Sequence, residues 1–371
     1  MLRRFRKHLL LLVVLLAAAY CFYKFRQGIS LKDFRWSMVG RSLAQARLEL
    51  FLLALATIYA CYALRALRWM RFCRSLGRAR FGHVYTATLM GFTCIFLLGR
   101  PGEPIRPVLI ARKDSLSIPQ MFGVYVLERV FDMAATATLA IFALLSFEHS
   151  GPGGPAGDLV MTSARSAGIA LLGGLIAAVA FLVYFRYHGS RWLRARLGRP
   201  KWRHGWRAHV VALLEGFSEG LEGIRTWEDL GVASLYTAAH WVLVVLVYVW
   251  IIRAFPGALA TLTLSNVALV VAFTLVGSAA QLPVAGGGSQ AATFLVLTLI
   301  FGVEKEPAAV ASIACWLIAF ASCCLAGLPL LFREGWSMGE LRRLARSEAK
   351  AEEAELLGEA ERSAALEEKR R

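Results

Sequence analysis

Glu128, Arg129 and Asp132 stand inside the apolar run "VYVLERVFDMAATATLAIF". A charge at that depth costs ~2.5–3.5 kcal/mol on insertion scales and is kept where it faces a partner or a water-filled cavity. On a helix Glu128 and Asp132 share one face at i, i+4, with Arg129 beside them. A second charged set, Arg100, Glu103 and Arg106, lies in "LGRPGEPIR", where two prolines and two glycines rule out an uninterrupted helix. Arg129 can neutralise one carboxylate and leave the other for Arg100 or Arg106. That arrangement supplies counter-charges for a polar group inside a membrane. It serves equally as an ion-pair knot that only fastens one segment to another.

A second break, "QLPVAGGGSQAATFLVL", interrupts apolar sequence in the last third of the chain. Paired Gly/Pro-interrupted hydrophobic segments point to a transporter's binding site. Unwound backbone at membrane depth is tolerated only where protein or a water-filled cavity satisfies it. The half-helix ends also present free N–H groups to anions. The candidate substrate-binding residues are therefore Arg100, Gly102, Glu103, Arg106, Glu128, Arg129, Asp132, Pro283, Gly286, Gly287, Gly288 and Gln290. The plainer reading of the glycines is close helix packing.

The elements that must hold these residues are membrane helices. Hydrophobic residues make up 57% and charged residues 18% of the 371, against about 45–50% and about 25% in soluble domains. Apolar runs at 8–23, 48–63, 124–147, 163–184, 230–252 and 308–332 approach the ~20 residues that cross a bilayer core. Weaker runs lie at 81–98, 264–282 and 291–301. The expected fold is an all-α polytopic membrane protein with about 6–8 transmembrane helices and one or two re-entrant or broken hairpins. A transmembrane domain over 1–334 and a charged cytoplasmic tail over 335–371 make up the expected organisation. The start, "MLRRFRKHLLLLVVLLAAAYCF", reads as an uncleaved first span rather than a signal peptide.

The net charge of +17 is placed by position, not spread as a nucleic-acid footprint. Arginines 65, 68, 71, 74, 78 and 80 follow the second span, and eight Lys/Arg fall between Arg186 and Arg207, while the 148–158 loop has none. This is the positive-inside pattern, with anionic headgroups as the contact. Both termini are then cytoplasmic, and parity makes 81–98 leave and re-enter one face, broken at "GRPGEP". The segment 24–47 resists this scheme with six basic residues and is read as an interfacial helix. An amphipathic surface helix is expected over 208–226. His240 reads as a helix–helix hydrogen bond rather than a proton relay. The seven cysteines show no metal-like spacing and read as small hydrophobes.

"RALRW" at 65–69, "GRPGEPIRPVLIARK" at 99–113, "LERVFD" at 127–132 and "LPVAGGGSQAAT" at 282–293 occur in this order. In these motifs the chain resembles the lysylphosphatidylglycerol synthase transmembrane-region family, the flippase-like domain proteins. The resemblance implies a membrane domain that moves lipids between leaflets, aminoacylated phosphatidylglycerol in the best-known members. It departs where many members carry a Glu after the late glycines, since Ser289, Gln290 and Ala291 stand there. The expected protein is a non-enzymatic lipid flippase of the bacterial cytoplasmic membrane, with no cofactor and no metal. Membrane lipids, anionic or aminoacylated, are its expected partners, further copies of the chain are compatible, and nucleic acid is not expected. The alternatives are an integral membrane headgroup or glycosyl transferase using Glu103, Glu128 or Asp132, and a scaffold of a lipid-biosynthetic complex.

Overall fold

A computed structural model describes residues 36–145, 223–278 and 281–336, short of 225, 283 and 285, with isolated positions at 169, 173, 176, 339 and 340. The expected spans at 8–23 and 163–184, the 148–158 loop and the basic stretch 186–207 lie outside these described residues. So do Pro283 and nearly all of the 208–226 helix and the 335–371 tail.

The described chain is helical apart from one two-residue strand pair. Helix α1 (Trp36–Ala44) falls within the segment where an interfacial helix was expected. It is followed by α2 (Leu48–Cys73), α3 (Phe81–Leu98), α4 (Ile105–Asp114), α5 (Ile118–Leu145) and α6 (Trp227–Arg253). Then come α7 (Leu264–Gly277), α8 (Gly288–Leu295), α9 (Lys305–Trp316) and α10 (Cys323–Arg333). A π-helical turn at Leu317–Ala321 joins α9 to α10, so the two run as one 29-residue apolar rod. With α2, α3 and α6 it makes four helices among the described residues that are long and apolar enough to cross a membrane. Helix α5 has 28 residues, but Glu128, Arg129 and Asp132 interrupt its apolar run.

Local chemistry sets the ends of these helices. Thr226 caps α6: its hydroxyl accepts from the Asp229 amide at 3.1 Å, and the Asp229 carboxylate accepts from the Thr226 amide at 3.1 Å. Gly99, at φ 74°, ends α3 in a conformation that a side chain would resist.

Two ends of the bundle are distinguishable by contacts. At one, Cys73 closing α2 meets Met121 at the start of α5, and Arg71 pairs with Glu228 and Asp229 at the start of α6. Lys113 of α4 reaches Glu334 after α10 at this same end. At the other, the Arg47 amide donates to the Ala254 carbonyl at 2.9 Å, and Arg253 donates to the Leu262 carbonyl at 3.2 Å. Helices α2 and α6 are therefore antiparallel neighbours.

The chain around "GRPGEP" folds as a helical hairpin, its first arm one uninterrupted helix of 18 residues. Helix α3 runs inward, the chain turns through a 3₁₀ turn at Arg100–Gly102, and α4 runs back along α3. Asp114 at the end of α4 accepts from the Arg80 amide at 3.2 Å and bonds His83 at 2.7 Å, which brings both ends of the hairpin together. Gly102 makes the turn tight, because a Cβ there would fall on the Cys94 carbonyl. A second hairpin, α7 and α8, starts and finishes at the opposite end. It is joined by Thr274 and Thr293 hydroxyls 2.6 Å apart. Its tip is the pair β1 (Gln281–Leu282) and β2 (Gly286–Gly287), with Val284 between them.

Two apolar clusters fill the bundle, one around Trp69, Phe72, Met90 and Met121, the other around Ile252, Phe255, Leu269 and Leu297. Leu52, Phe142, Leu235, Val242, Ile313 and Leu325 point outward and stay exposed. That many large apolar side chains facing out suits hydrocarbon and not water.

Candidate functional site

Four helices converge on one charged knot. The i, i+3 spacing of Arg65 and Arg68 puts both on the α2 face that meets α6, and the i, i+4 spacing of Glu128 and Asp132 puts both on one face of α5. Helix α4 adds Arg106, and α6 adds Thr237 and His240. By helix rise these groups sit about 8–21 Å in from Cys73, Asp114 and Ile118, Arg68 the shallowest and Asp132 the deepest. They are well inside the bundle.

Glu128 is fully buried and is the hub. Its Oε1 accepts from Arg65 Nη1 at 2.7 Å and from Arg68 Nη2 at 3.0 Å, and its Oε2 accepts from Arg106 Nη2. Asp132 lies one turn on, 3.0 Å from Arg65 and 2.8 Å from Arg68. Arg68 Nη1 also donates to the Thr237 hydroxyl at 2.8 Å, and Arg65 Nε donates to His240 Nε2 at 3.2 Å. The His240 expectation of a helix–helix hydrogen bond is met, with a guanidinium as the partner. Arg129 stands at the rim, its side chain 40% exposed, 3.4 Å from Asp132 and 3.7 Å from Glu128.

Aromatic faces complete the setting. The Arg106 guanidinium lies over Trp69 at 4.8 Å and Phe92 at 5.5 Å, Arg65 over Phe92 at 5.3 Å, and Arg129 over Tyr125 at 5.2 Å. Such contacts stabilise desolvated cations. Gly91 makes room for this approach, since a Cβ there would sit 2.6 Å from the Arg106 Cβ. The knot holds four guanidiniums (65, 68, 106 and 129) and two carboxylates (128 and 132), a formal surplus of two positive charges.

The sequence-derived candidates divide into three groups. Arg106, Glu128, Arg129 and Asp132 form the knot. Glu103, half-buried at the hairpin turn, accepts from the Tyr125 hydroxyl, and Tyr125 in turn underlies Arg129. Arg100 lies exposed at the same turn, beside the buried Gly102. The expected division of labour changes: Glu128 is bound by Arg65, Arg68 and Arg106 together, while Arg129 leans toward Asp132. Arg65, Arg68 and Thr237 were missed as site residues, because the arginines also satisfied the positive-inside pattern. Their three-residue spacing inside a helix was the available signal.

Gly286, Gly287, Gly288 and Gln290 build the tip of the second hairpin and not the knot. Gly286 and Gly287 adopt φ 74° and 109°, and the Gln290 side chain accepts from the Gly287 amide. Gly288 lies where α7 and α8 cross, as a Cβ on Gly277 would fall on its carbonyl. The two hairpins meet at their tips. Val284 donates its amide to the Phe96 carbonyl at 2.9 Å, and the Phe96 ring lies 5.8 Å from Trp316. Phe96 is one helical turn from Phe92, which flanks Arg65 and Arg106, so the tip contact borders the knot.

A family model described as "Lysylphosphatidylglycerol synthase TM region" matches residues 9–327. No curated protein matches the chain.

Proposed function

The chain belongs to the lysylphosphatidylglycerol synthase transmembrane-region family, membrane proteins of lipid metabolism or transport, and on that premise we propose that it moves a polar-headgroup lipid between leaflets. The observation that carries this reading is the pair of hairpins that start from opposite ends of the bundle and touch at Phe96 and Val284. Opposed broken segments with a binding site at their junction are the plan of alternating-access carriers. In this reading both hairpins are re-entrant. The end carrying Arg74, Arg78, Arg80, Arg112 and Arg333 faces the cytoplasm of a bacterial cell. The headgroup passes between the tips, drawn by the surplus charge of the knot and bordered by Arg129 and Glu103, while the acyl chains stay in the bilayer.

The alternative of a transferase is weaker on the same geometry. Both oxygens of Glu128 accept from guanidiniums, and Asp132 lies 3.0 Å from Arg65 and 2.8 Å from Arg68, so fixed cations already stand where a metal would bind. Joining the tips tests the proposal. Phe96→Cys and Val284→Cys, in a chain whose seven native cysteines are replaced, are linked with a short bifunctional thiol reagent. Translocation of headgroup-labelled phosphatidylglycerol in reconstituted vesicles should stop on linking and return when a cleavable linker is cut. Undiminished translocation through the linked protein rules out passage between the tips.

A further inference from the structure

A groove of about 530 Å³ opens where the last turns of α2 approach the first turns of α6. One wall grades from apolar to basic toward the end of the bundle, Leu67, Met70 and Arg71 on α2, then Arg74 and Arg78 in the segment that follows it, with Tyr236 across from them. Arg71 is committed, 2.8 Å from both Glu228 and Asp229. Arg74 and Arg78 are exposed, and neither they nor the Tyr236 hydroxyl has a partner among the described residues. Trp227, 87% exposed, marks the same level, as an aromatic at a headgroup boundary does.

We infer that this groove binds the headgroup of an anionic phospholipid, its phosphate between Arg74 and Arg78 and its glycerol and upper chains along Leu67 and Met70. Guanidiniums match phosphate oxygens with paired, charge-assisted hydrogen bonds. The change from apolar to basic along α2 and the segment after it follows the length of a lipid standing in a leaflet. A soluble phosphate ester would leave the apolar half of the groove unfilled. The site is separate from the buried knot, because Arg71 and its two carboxylates stand between Arg68 and Arg74. Binding here requires no passage across the bilayer, so the inference goes beyond the translocation reading and fails or holds without it.

The purified full chain in detergent is titrated with short-chain phosphatidylglycerol, with phosphatidylcholine, and with inorganic phosphate as competitor, retained lipid being counted by native mass spectrometry. The double variant Arg74→Gln/Arg78→Gln is compared with Arg80→Gln/Arg333→Gln, which removes the same charge at exposed positions of the same end. Phosphatidylglycerol affinity should fall about tenfold or more in the first variant and stay at the wild-type value in the second. Phosphatidylcholine should bind weakly throughout, and inorganic phosphate should not displace the lipid. Equal affinity in the two variants overturns the site. Equal retention of phosphatidylcholine, or displacement by inorganic phosphate, overturns the choice of ligand.

Discussion

Glu128 accepts from three guanidiniums while fully buried, so its loss is felt by all of them. Glu128→Gln leaves four guanidiniums facing Asp132 alone. Stranding a buried charge costs roughly 3–5 kcal/mol, more than removing both members of a pair. The single variant should therefore unfold at clearly lower temperature than wild type, and adding Arg106→Met to it should restore part of the loss. Unfolding followed by circular dichroism in detergent gives the cycle, and strictly additive losses would mean the two groups are uncoupled. At this scale the acids were readable, because a carboxylate in an apolar run needs a partner or a cavity whatever its role. Arg65 and Arg68 were not. An arginine near the end of a span satisfies the positive-inside bias whether or not it turns inward, and only the packing of α2 on α5 and α6 decides.

The helices carry glycines that do different work, and substitution separates them. Gly327 of α10 crosses α3 so closely that a Cβ would land on the Thr93 hydroxyl and near the Leu89 carbonyl, where Thr93 also bonds the Cys323 carbonyl at 3.1 Å. Gly327→Ala should destabilise by about 1–3 kcal/mol, the usual cost of overpacking. Gly231, inside α6, has nothing within 4 Å of a built Cβ. Gly231→Ala should be neutral or stabilising by about 0.5–1 kcal/mol through unfolded-chain entropy and helix propensity. Thermal unfolding of the two variants side by side checks this, and equal shifts would show that the α3–α10 crossing is not tight. The breaks themselves were legible, since Pro and Gly clusters end helices whatever surrounds them. The contact between Val284 and Phe96 was not, as it joins residues far apart in sequence with no complementary charge or motif. The π-turn between α9 and α10 left no compositional mark either.

The whole molecule has a basic end where α3 begins and α4 finishes, and an opposite end where α7 begins and α9 starts. Single cysteines in a chain otherwise free of them report the two ends. Ser115→Cys should react only with reagent on the cytoplasmic side of oriented vesicles, and Thr261→Cys only with reagent on the other. Reaction of both from one side would break the assignment of the hairpins to opposite faces. That the chain is a bundle of membrane helices was legible from run length alone, because the bilayer fixes how long an apolar run must be. The knot also has a consequence in time. Arg68 precedes Glu128 by 60 residues, so a ribosome delivers α2 to the membrane before any acid that can neutralise it exists. Two uncompensated arginines at depth are worth roughly 5–7 kcal/mol against insertion. Helix α2 is then a provisional tenant, settling only when α5 emerges and clasps it. Nascent chains lacking residues 1–35 and arrested at residue 116 should be extractable by alkali, and Arg65→Leu/Arg68→Leu should make the same chains resist it; equal resistance would mean that α2 settles alone.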